Sequence, residues 1–340
     1  MTGAGRVGGT GEGTDEEAMS ELARVVVLSG GLSSEREVSL RSGRRVSEAL
    51  RHAGVEASVR DVDDTLVDEL RDDPPELVFP LLHGAAGEDG AVREILELVG
   101  VPYVGAAPGA CRTAFDKSVA KELLAREGIT TPDSVTLPKA AFQDLGAGAI
   151  MARIVARLGL PLFVKPRAGG SAFGVTLVET ADELPGALVT CFAHHDEALV
   201  ERCVAGTEIA VAVADLGNGP RALPPVEIAV AGLYDYSARY TAGAVEFHAP
   251  ARVEPAVAEE ATRVAVLAHR VLGLRHLSRT DVIVAADGRV HVLETNVAPG
   301  LTDTSTYPMA VEAAGLDFGL FCRDLAAHAA RTVPGTGRVR

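Results

Sequence analysis

The stretch Leu293-Glu294-Thr295-Asn296-Val297-Ala298-Pro299-Gly300, together with the earlier run Arg279-Thr280-Asp281, decides how this chain is interpreted. Asp281 opens a β-rich run, and the dipeptide Asp287-Gly288 that follows it is a strong signal for a hairpin turn. Glu294 and Asn296 are two residues apart, so on a strand their side chains point to the same face. We therefore predict a β-hairpin that brings Asp281 back to Glu294 and Asn296.

The predicted hairpin carries three oxygen ligands, and neither His nor Cys is among them. Such a set suits Mg²⁺, which prefers carboxylates and substrate phosphates. Arg279 and the backbone N–H of Gly300 flank the set and are placed to hold an oxyanion. A single acid at a strand edge is usually just solvated, and that is the alternative here. Because the whole combination is rare by chance, we favour magnesium-dependent nucleotide chemistry.

Composition narrows the class of protein. At 340 residues the chain suits two or three domains, and its 47% apolar and 23% charged residues are ordinary for a globular protein. A net charge of −15 disfavours nucleic acid as a partner. No apolar run approaches ~18 residues, so no membrane span is expected. The scattered cysteines predict a reduced, cytoplasmic setting; they are Cys111, Cys191, Cys203 and Cys322.

Two apolar runs near the amino end, 24–28 and 77–82, predict buried strands of a parallel sheet. Segment 33–37 predicts a helix start, with Ser and Glu spaced like a capping box. Ligands of such sheets bind beyond the carboxyl ends of the strands. Glu35 and His83 each follow one strand, so they are candidate substrate contacts, although either residue alone is more often structural.

We expect an α/β chain whose later part is α+β, with an antiparallel second unit and the metal hairpin in a third. The segments are a disordered tail at 1–21, a parallel α/β domain at 22–104, a central domain at 105–200, a carboxyl-terminal domain at 201–332 and a tail at 333–340.

A nucleotide site is predicted around Lys165, which ends an apolar strand and precedes the glycine-rich loop 169–174. Backbone N–H groups of such a loop can face phosphate oxygens. An ordinary glycine hairpin is an equal alternative, and neither the Walker nor the dinucleotide pattern is present. A later strand exit is a weaker candidate for holding adenine and ribose, against a solvated strand end; its residues are Glu201, Arg202, Val204 and Glu208.

Segment 234–240 concentrates three of the five tyrosines. We interpret residues 232–248 as a lid that closes over reactive phosphate, with Arg239 as a fixed cation for the γ-phosphate. The alternative is a loop with aromatic packing.

Together these motifs resemble the D-alanine:D-alanine ligases of the ATP-grasp superfamily, over nearly everything after the tail. The matching pieces are 30–39, 83–90, the loop around Ser171, the lid, 279–281 and 294–308. The resemblance implies a three-domain ATP-grasp architecture. It implies an enzyme in which ATP phosphorylates the carboxylate of one D-alanine and the amine of a second attacks the acyl phosphate, giving a dipeptide for peptidoglycan. It also implies a homodimer with small amino-acid substrates.

The resemblance further implies roles for single positions. Glu35 would bind the ammonium of the first substrate and form a network with Ser171 and Tyr240. Lys117 and Lys165 would hold ATP phosphates, near Gly170. Asp281, Glu294 and Asn296 would hold two Mg²⁺ ions, with Mn²⁺ as an alternative metal. Arg279 and Gly300 would stabilise the tetrahedral intermediate. Ser305 and Thr306 would face the carboxylate of the second substrate, with His83 among the substrate contacts.

Three positions depart from the family pattern: Arg239 stands for Lys, Ala172 for Ser, and Thr306 for Leu. They leave the second substrate open, so a ligase joining other amino acids is the first alternative. A regulatory ATP-binding module is the second, and the retained Asp281 and Glu294 oppose it. Tyr240 favours an amine acceptor over a hydroxyl acceptor.

Overall fold

The computed structural model describes residues 22, 24–170, 172–230 and 245–332. In chain order the strands of these residues are β1 Arg24–Leu28, β2 Glu56–Arg60, β3 Leu77–Pro80, β4 Ser134–Pro138, β5 Leu162–Pro166, β6 Thr176–Val178, β7 Glu197–Arg202, β8 Gly206–Ala214, β9 Arg221–Ala222, β10 Val226–Val230, β11 Val245–His248, β12 Leu277–Ala285 and β13 Val290–Asn296. Their α-helices are α1 Arg36–His52, α2 Leu66–Asp72, α3 Ala85–Glu88, α4 Ala91–Val99, α5 Pro108–Phe115, α6 Lys117–Arg126, α7 Lys139–Leu145, α8 Ala147–Leu158, α9 Leu184–Phe192, α10 Pro255–Val271, α11 Thr306–Ala313 and α12 Phe318–Ala330.

The first sheet has the order β2-β1-β3 and is parallel, which confirms the α/β prediction for this region. Helix α1 follows β1, but the predicted capping box is wrong. Glu35 is the N-cap residue, and within the described part of the chain its side chain makes no capping hydrogen bond to the helix. The Ser33 hydroxyl instead accepts from the Glu35 N–H at 3.2 Å. The Glu35 carboxylate faces Gly84 and Gly170, so it is directed away from the helix end.

The second sheet, β4-β7-β5-β6, is antiparallel, as predicted for the central unit. Its buried face packs against the helices that precede and follow β5. Leu162 and Val164 on β5 are fully buried there, together with Leu158 of α8 and Leu188 of α9. This packing holds Lys165 on the strand that leads into the glycine-rich loop.

The third sheet runs β11-β10-β8-β12-β13, with β9 paired to β8. Strand β12 pairs with β8 along nine residues on one edge and with β13 on the other. The β12–β13 turn closes with the Gly288 N–H donating to the Ala285 carbonyl at 2.9 Å. The predicted hairpin is therefore confirmed, and its register places Asp281 opposite Glu294.

The first sheet and helices α11 and α12 share one hydrophobic core. Val25 and Phe79 of the first sheet lie in the same cluster as Tyr307 of α11 and Phe321 of α12. The Tyr307 hydroxyl donates to the Val213 carbonyl of β8 at 2.9 Å. This core holds the parallel sheet against the third sheet.

Among the described residues, no helix combines the length and apolar character that a membrane crossing requires.

Gly105 connects the first sheet to residues just before β12. Its N–H donates to His276 Nδ1 at 2.9 Å, and its carbonyl accepts from Arg275 Nε at 2.8 Å. Because His276 Nδ1 accepts, Nε2 carries the ring proton and donates to Thr332 Oγ1 at 3.1 Å. Burial lowers the pKa of His276, so the ring is neutral. Arg93 is buried against the Gly105 α-carbon.

We predict that Gly105→Ala destabilises the fold more than Gly100→Ala. Both glycines have positive φ, +112° and +80°, so both variants acquire backbone strain of about 1–2 kcal/mol. A methyl group at 105 would lie 3.2 Å from Arg93 Nη2, whereas no atom of the described residues lies within 4 Å of one at 100. Displacing the buried Arg93 should add at least about 1 kcal/mol to the loss in unfolding free energy. Urea denaturation measures both; equal losses would contradict the prediction.

Candidate active site

Two adjoining clefts lie between the sheets. The outer cleft, about 540 Å³, is lined by strands of the second and third sheets. The inner cleft, about 150 Å³, lies between the first and third sheets and is lined by Glu35, His83 and loop 300–306. Both clefts share a set of lining residues, which are Lys117, Gly169, Gly170, Ile228, Asp281 and Glu294. The acids predicted to hold metal therefore stand where the clefts meet.

One face of the β12–β13 hairpin lines the inner cleft and is here called the hairpin face. It carries the four residues that the sequence analysis expected to lie together: Arg279, Asp281, Glu294 and Asn296. Arg279 lies opposite Asn296 and Asp281 opposite Glu294 in the strand register. Arg279 holds both Asp281 oxygens, from Nε at 2.7 Å and from Nη2 at 2.8 Å. Glu294 Oε2 lies 2.7 Å from Lys117 Nζ. Each carboxylate thus has a cation beside it, which offsets part of the cost of bringing two acids together.

The donor chemistry of this face fits a hard divalent cation, because every candidate ligand is an oxygen. No group of three His, Cys, Asp or Glu side chains within the described ranges is arranged to hold a metal. The candidate set is therefore two carboxylates completed by the amide of Asn296. The Asn296 Oδ1 atom accepts from the Ala298 N–H at 2.7 Å, and this bond fixes the orientation of the amide.

Glu201, at the strand exit, is buried, whereas Arg202 beside it is half exposed. Glu201 is 1% exposed, and its two oxygens lie 2.5 Å from Lys121 Nζ and 2.5 Å from Lys165 Nζ. Burial by itself would raise the pKa of Glu201, but the two lysines outweigh it and lower that pKa. Arg202, Val204 and Glu208, with Glu201, line the outer cleft. Sequence reasoning did not assign Lys121 a role, since nothing local shows that it reaches a strand eighty positions away.

His83 is a neutral ring at the inner cleft. Its Nδ1 lies 3.1 Å from the Ala298 carbonyl, which can only accept, so Nδ1 carries the proton. Burial lowers the pKa of His83 to about 4. Its buried Nε2 has no hydrogen-bond partner among the described residues. His83 therefore offers an acceptor atom at neutral pH.

Glu88 is a site residue that the sequence analysis did not single out. Burial, reinforced by the nearby Glu35, raises the pKa of Glu88 to about 8. Its Oε1 accepts from the Gly84 N–H at 2.9 Å, and the residue lines the inner cleft with Glu35 and Lys117. The available signal was its position in the same glycine-acid segment as His83. At neutral pH Glu88 keeps its proton, so the inner cleft carries less negative charge than its acids imply.

Loop 300–306 forms the far wall of the inner cleft. Ser305 is the N-cap of α11, and Thr306 is the first residue of that helix and is buried. The Gly300 α-carbon approaches Ser305 closely, since a methyl group there would lie 2.8 Å from Ser305 Oγ. The structure therefore brings together Glu35, His83, Gly300, Ser305 and Thr306.

Three predicted site residues lie outside the described residues: Ser171, Arg239 and Tyr240. The segment predicted as a lid, 232–248, is described only from residue 245, where β11 begins.

We predict that Glu88→Gln flattens the pH dependence of stability. The folded state keeps the Glu88 proton up to about pH 8, whereas the unfolded chain loses it above about pH 4.5. The wild type should therefore lose about 4 kcal/mol more unfolding free energy than the variant between pH 4.5 and 8. Urea denaturation across this range provides the measurement, with the exposed Glu37→Gln as control. Parallel pH curves for wild type and Glu88→Gln would refute it.

Comparison with known proteins supports one family. The family model "D-ala D-ala ligase C-terminus" matches residues 123–326, and "D-ala D-ala ligase N-terminus" matches residues 54–106. A D-alanine–D-alanine ligase of Desulforudis audaxviator is 42% identical over 315 residues, covering 91% of this chain and 98% of the relative. One of Anaeromyxobacter dehalogenans is 40% identical over 300 residues, covering 88% and 94%.

Solved structures agree. The VanG D-Ala:D-Ser ligase from Enterococcus faecalis has a TM-score of 0.77 at 29% identity, covering 89% of this chain and 98% of that one. The D-alanine–D-alanine ligase from Bacillus anthracis complexed with ATP has a TM-score of 0.76 at 27% identity, covering 90% and 97%. The family models and the relatives together show that the chain belongs to the D-alanine–D-alanine ligase family, with the ATP-grasp fold.

Proposed function

We infer that this chain is an ATP-dependent ligase that joins two molecules of D-alanine into D-alanyl-D-alanine for peptidoglycan. Relatives of that name match about nine-tenths of the chain at 40–42% identity. The observation that carries the proposal is the pairing of Asp281 with Glu294 at the junction of the two clefts. There a phosphate donor in one cleft and an amino-acid carboxylate in the other would meet. The two alternatives, another amino-acid ligase and a regulatory module, are less favoured because these relatives bear the ligase name.

We propose that ATP occupies the outer cleft. A volume of about 540 Å³ lies within the usual range for small-molecule sites. Lys117, Lys165 and the loop at Gly170 and Ser171 would contact the phosphates, with Arg239 as a further cation. The base and ribose would lie against Glu201, Arg202, Val204 and Glu208. The lysines beside Glu201 fix its carboxylate, which gives the adenine end a rigid acceptor.

Asp281, Glu294 and Asn296 would hold the divalent metal, which we propose to be two Mg²⁺ ions. When bound, this metal neutralises phosphate charge and orients the phosphates for transfer. Lys117 and Arg279 orient the two carboxylates at the hairpin face. Since the set is all oxygen, soft metals that prefer thiolate ligands are disfavoured.

The inner cleft would hold both amino acids. The carboxylate of the first D-alanine takes the γ-phosphoryl group and ADP leaves; the amine of the second then attacks the acyl carbon and inorganic phosphate leaves. Glu35 would bind the first ammonium group, in a network with Ser171 and Tyr240. Arg279 and the Gly300 N–H would stabilise the oxyanion of the tetrahedral intermediate. Ser305 and Thr306 would receive the carboxylate of the second substrate, beside His83.

We further propose a cytoplasmic homodimer. The division of the chain into domains at 22–104, 105–200 and 201–332 also stays a prediction. Strand β7 crosses the boundary between the second and the third of these domains. Size-exclusion chromatography with light scattering measures the oligomeric state.

The proposed function is tested by phosphate release from ATP across pairs of amino acids. We expect release and a D-alanyl-D-alanine product with D-alanine alone, and little with L-alanine. Mass spectrometry of the products identifies the dipeptide. Phosphate release that depends only on other amino-acid pairs would support the alternative ligase, and none with any pair would support the regulatory module.

We predict that Glu294→Gln lowers turnover by orders of magnitude at saturating ATP while the chain stays folded, because an amide is a poor substitute for a metal-binding carboxylate. The exposed Glu122→Gln on α6 should keep wild-type rates. Initial rates measured over a Mg²⁺ titration test the role of Glu294, and melting temperatures show whether each variant is folded. Near-normal rates of Glu294→Gln at limiting Mg²⁺ would exclude this metal assignment.

A further inference from the structure

The loop between β13 and α11 carries groups that the proposed function assigns to the second amino acid, here called the acceptor. They are Ser305, at the end of the loop, and Thr306, the first residue of α11. The Gly300 N–H, proposed to stabilise the tetrahedral intermediate, lies in the same loop. Loop backbone is not held by a ladder of strand pairs, so its position depends on individual contacts. The side chains that contact loop 300–305 therefore set its position.

A short turn within the loop orients Ser305. The Thr302 carbonyl accepts from the Ser305 N–H at 3.0 Å, and the Thr302 N–H donates to Ser305 Oγ at 3.1 Å. The two hydroxyl oxygens lie 2.8 Å apart. The direction of the Ser305 hydroxyl therefore follows the position of Thr302.

Arg45 on helix α1 holds this turn from outside. Its Nη1 donates to the same Thr302 carbonyl at 2.7 Å. Its Nε lies 3.0 Å from Asp303 Oδ1, and its Nη2 lies 3.1 Å from Glu312 Oε1 on α11. The guanidinium carbon lies 4.5 Å from the centroid of the Phe318 ring. One side chain thus connects α1, loop 300–305 (here called the acceptor loop) and α11, which begins directly after Ser305.

The contacts of Arg45 differ in how strongly they hold the loop. The side chains of Asp303 and Glu312 are 89% and 60% exposed, so their ion pairs with Arg45 contribute little. The bond to the Thr302 carbonyl is partly buried and charge-assisted, which makes it the stronger contact. One turn earlier on α1, Ser42 Oγ accepts from the Leu301 N–H at 3.2 Å. Helix α1 therefore touches two consecutive loop residues.

Helix α1 begins next to Glu35, the residue proposed to bind the first amino acid. The ten helical residues 36–45 that follow Glu35 span about 15 Å of rigid helix. The helix therefore fixes the distance between the first binding position and the acceptor loop. A shift of Arg45 would move Ser305 relative to Glu35 while leaving the outer cleft in place.

We propose that Arg45 is a positioning residue for the acceptor site. It holds the Thr302 carbonyl, and through it the Ser305 hydroxyl and the start of α11, at a set distance from Glu35. It thereby controls how tightly the second amino acid binds and which acceptors are used. This inference rests on the proposed function, since it concerns the second site of that reaction.

The test compares Arg45→Ala with Arg44→Ala, a neighbour on the same helix. Arg44 is 60% exposed, and its ion pair with Glu37 is 3.8 Å long, so its removal controls for loss of a surface charge. Initial rates of phosphate release, measured over wide ranges of D-alanine and ATP, separate the half-saturation constants of the two D-alanine sites and of ATP. Arg45→Ala should raise the second-site constant about tenfold or more. The first-site and ATP constants should stay within about twofold, and Arg44→Ala should change none of the three.

The choice between acceptors is a second measurement, and a general loss of stability would not change it. With D-alanine and D-serine supplied together, mass spectrometry gives the ratio of the two dipeptide products. We expect Arg45→Ala to change that ratio by about threefold or more, because a displaced Ser305 alters the fit of each acceptor. Arg45→Lys keeps one charged donor for the Thr302 carbonyl and should give intermediate values.

The outcomes are distinct. An unchanged second-site constant, or an equal rise in all three constants with an unchanged product ratio, would overturn the Arg45 inference. If Arg45→Ala does not fold, Arg45→Lys and Arg45→Gln are measured by the same criteria. A wild-type chain that makes no D-alanyl-D-alanine would overturn the proposed function itself, and that result is seen before any variant is measured.

Discussion

The pairing of β12 on both of its edges is the constraint on which the site depends. Strand β8 holds one edge along nine residues, and β13 holds the other. Cross-strand neighbours on one face of an antiparallel pair stand close together. The register therefore places Arg279 and Asp281 beside Asn296 and Glu294 without any help from a loop. A rigid sheet is a suitable support for groups that must meet a phosphate in a fixed geometry.

Charge at this site is arranged in local pairs within an acidic chain. Asp281 has Arg279, Glu294 has Lys117, and Glu201 has two lysines. Buried ion pairs are weak contributors to stability because desolvation offsets their attraction. Their value here is orientation: each pair holds a carboxylate at a defined place beside a cleft. Glu88 adds no negative charge to the inner cleft for a different reason: burial raises its pKa to about 8, so it is protonated at neutral pH.

The clefts exist because distant parts of the chain pack together. Helices α11 and α12 share a core with the parallel sheet, and Gly105 is tied to Arg275 and His276 just before β12. Arg45 adds a third link, from α1 to the acceptor loop. The substrate-facing residues of the first sheet are thereby held opposite the hairpin face. The same contacts give the acceptor loop its position, although no strand supports it.

The sequence by itself determined the local features. Periodicity and turn residues predicted the parallel sheet, the antiparallel second unit and the Asp287-Gly288 hairpin, because these depend on neighbours close in the chain. The ligand types at Asp281, Glu294 and Asn296 indicated the metal chemistry for the same reason. The helix start within 33–37 was predicted correctly, but the capping box was wrong, since the Glu35 side chain is directed toward Gly84 and Gly170 from other segments. Tertiary structure alone decided the burial of Glu201 between Lys121 and Lys165, the raised pKa of Glu88 and the hold of Arg45 on Thr302. Each of these joins residues that are far apart in sequence or depends on desolvation by the assembled core, and no local pattern encodes either effect.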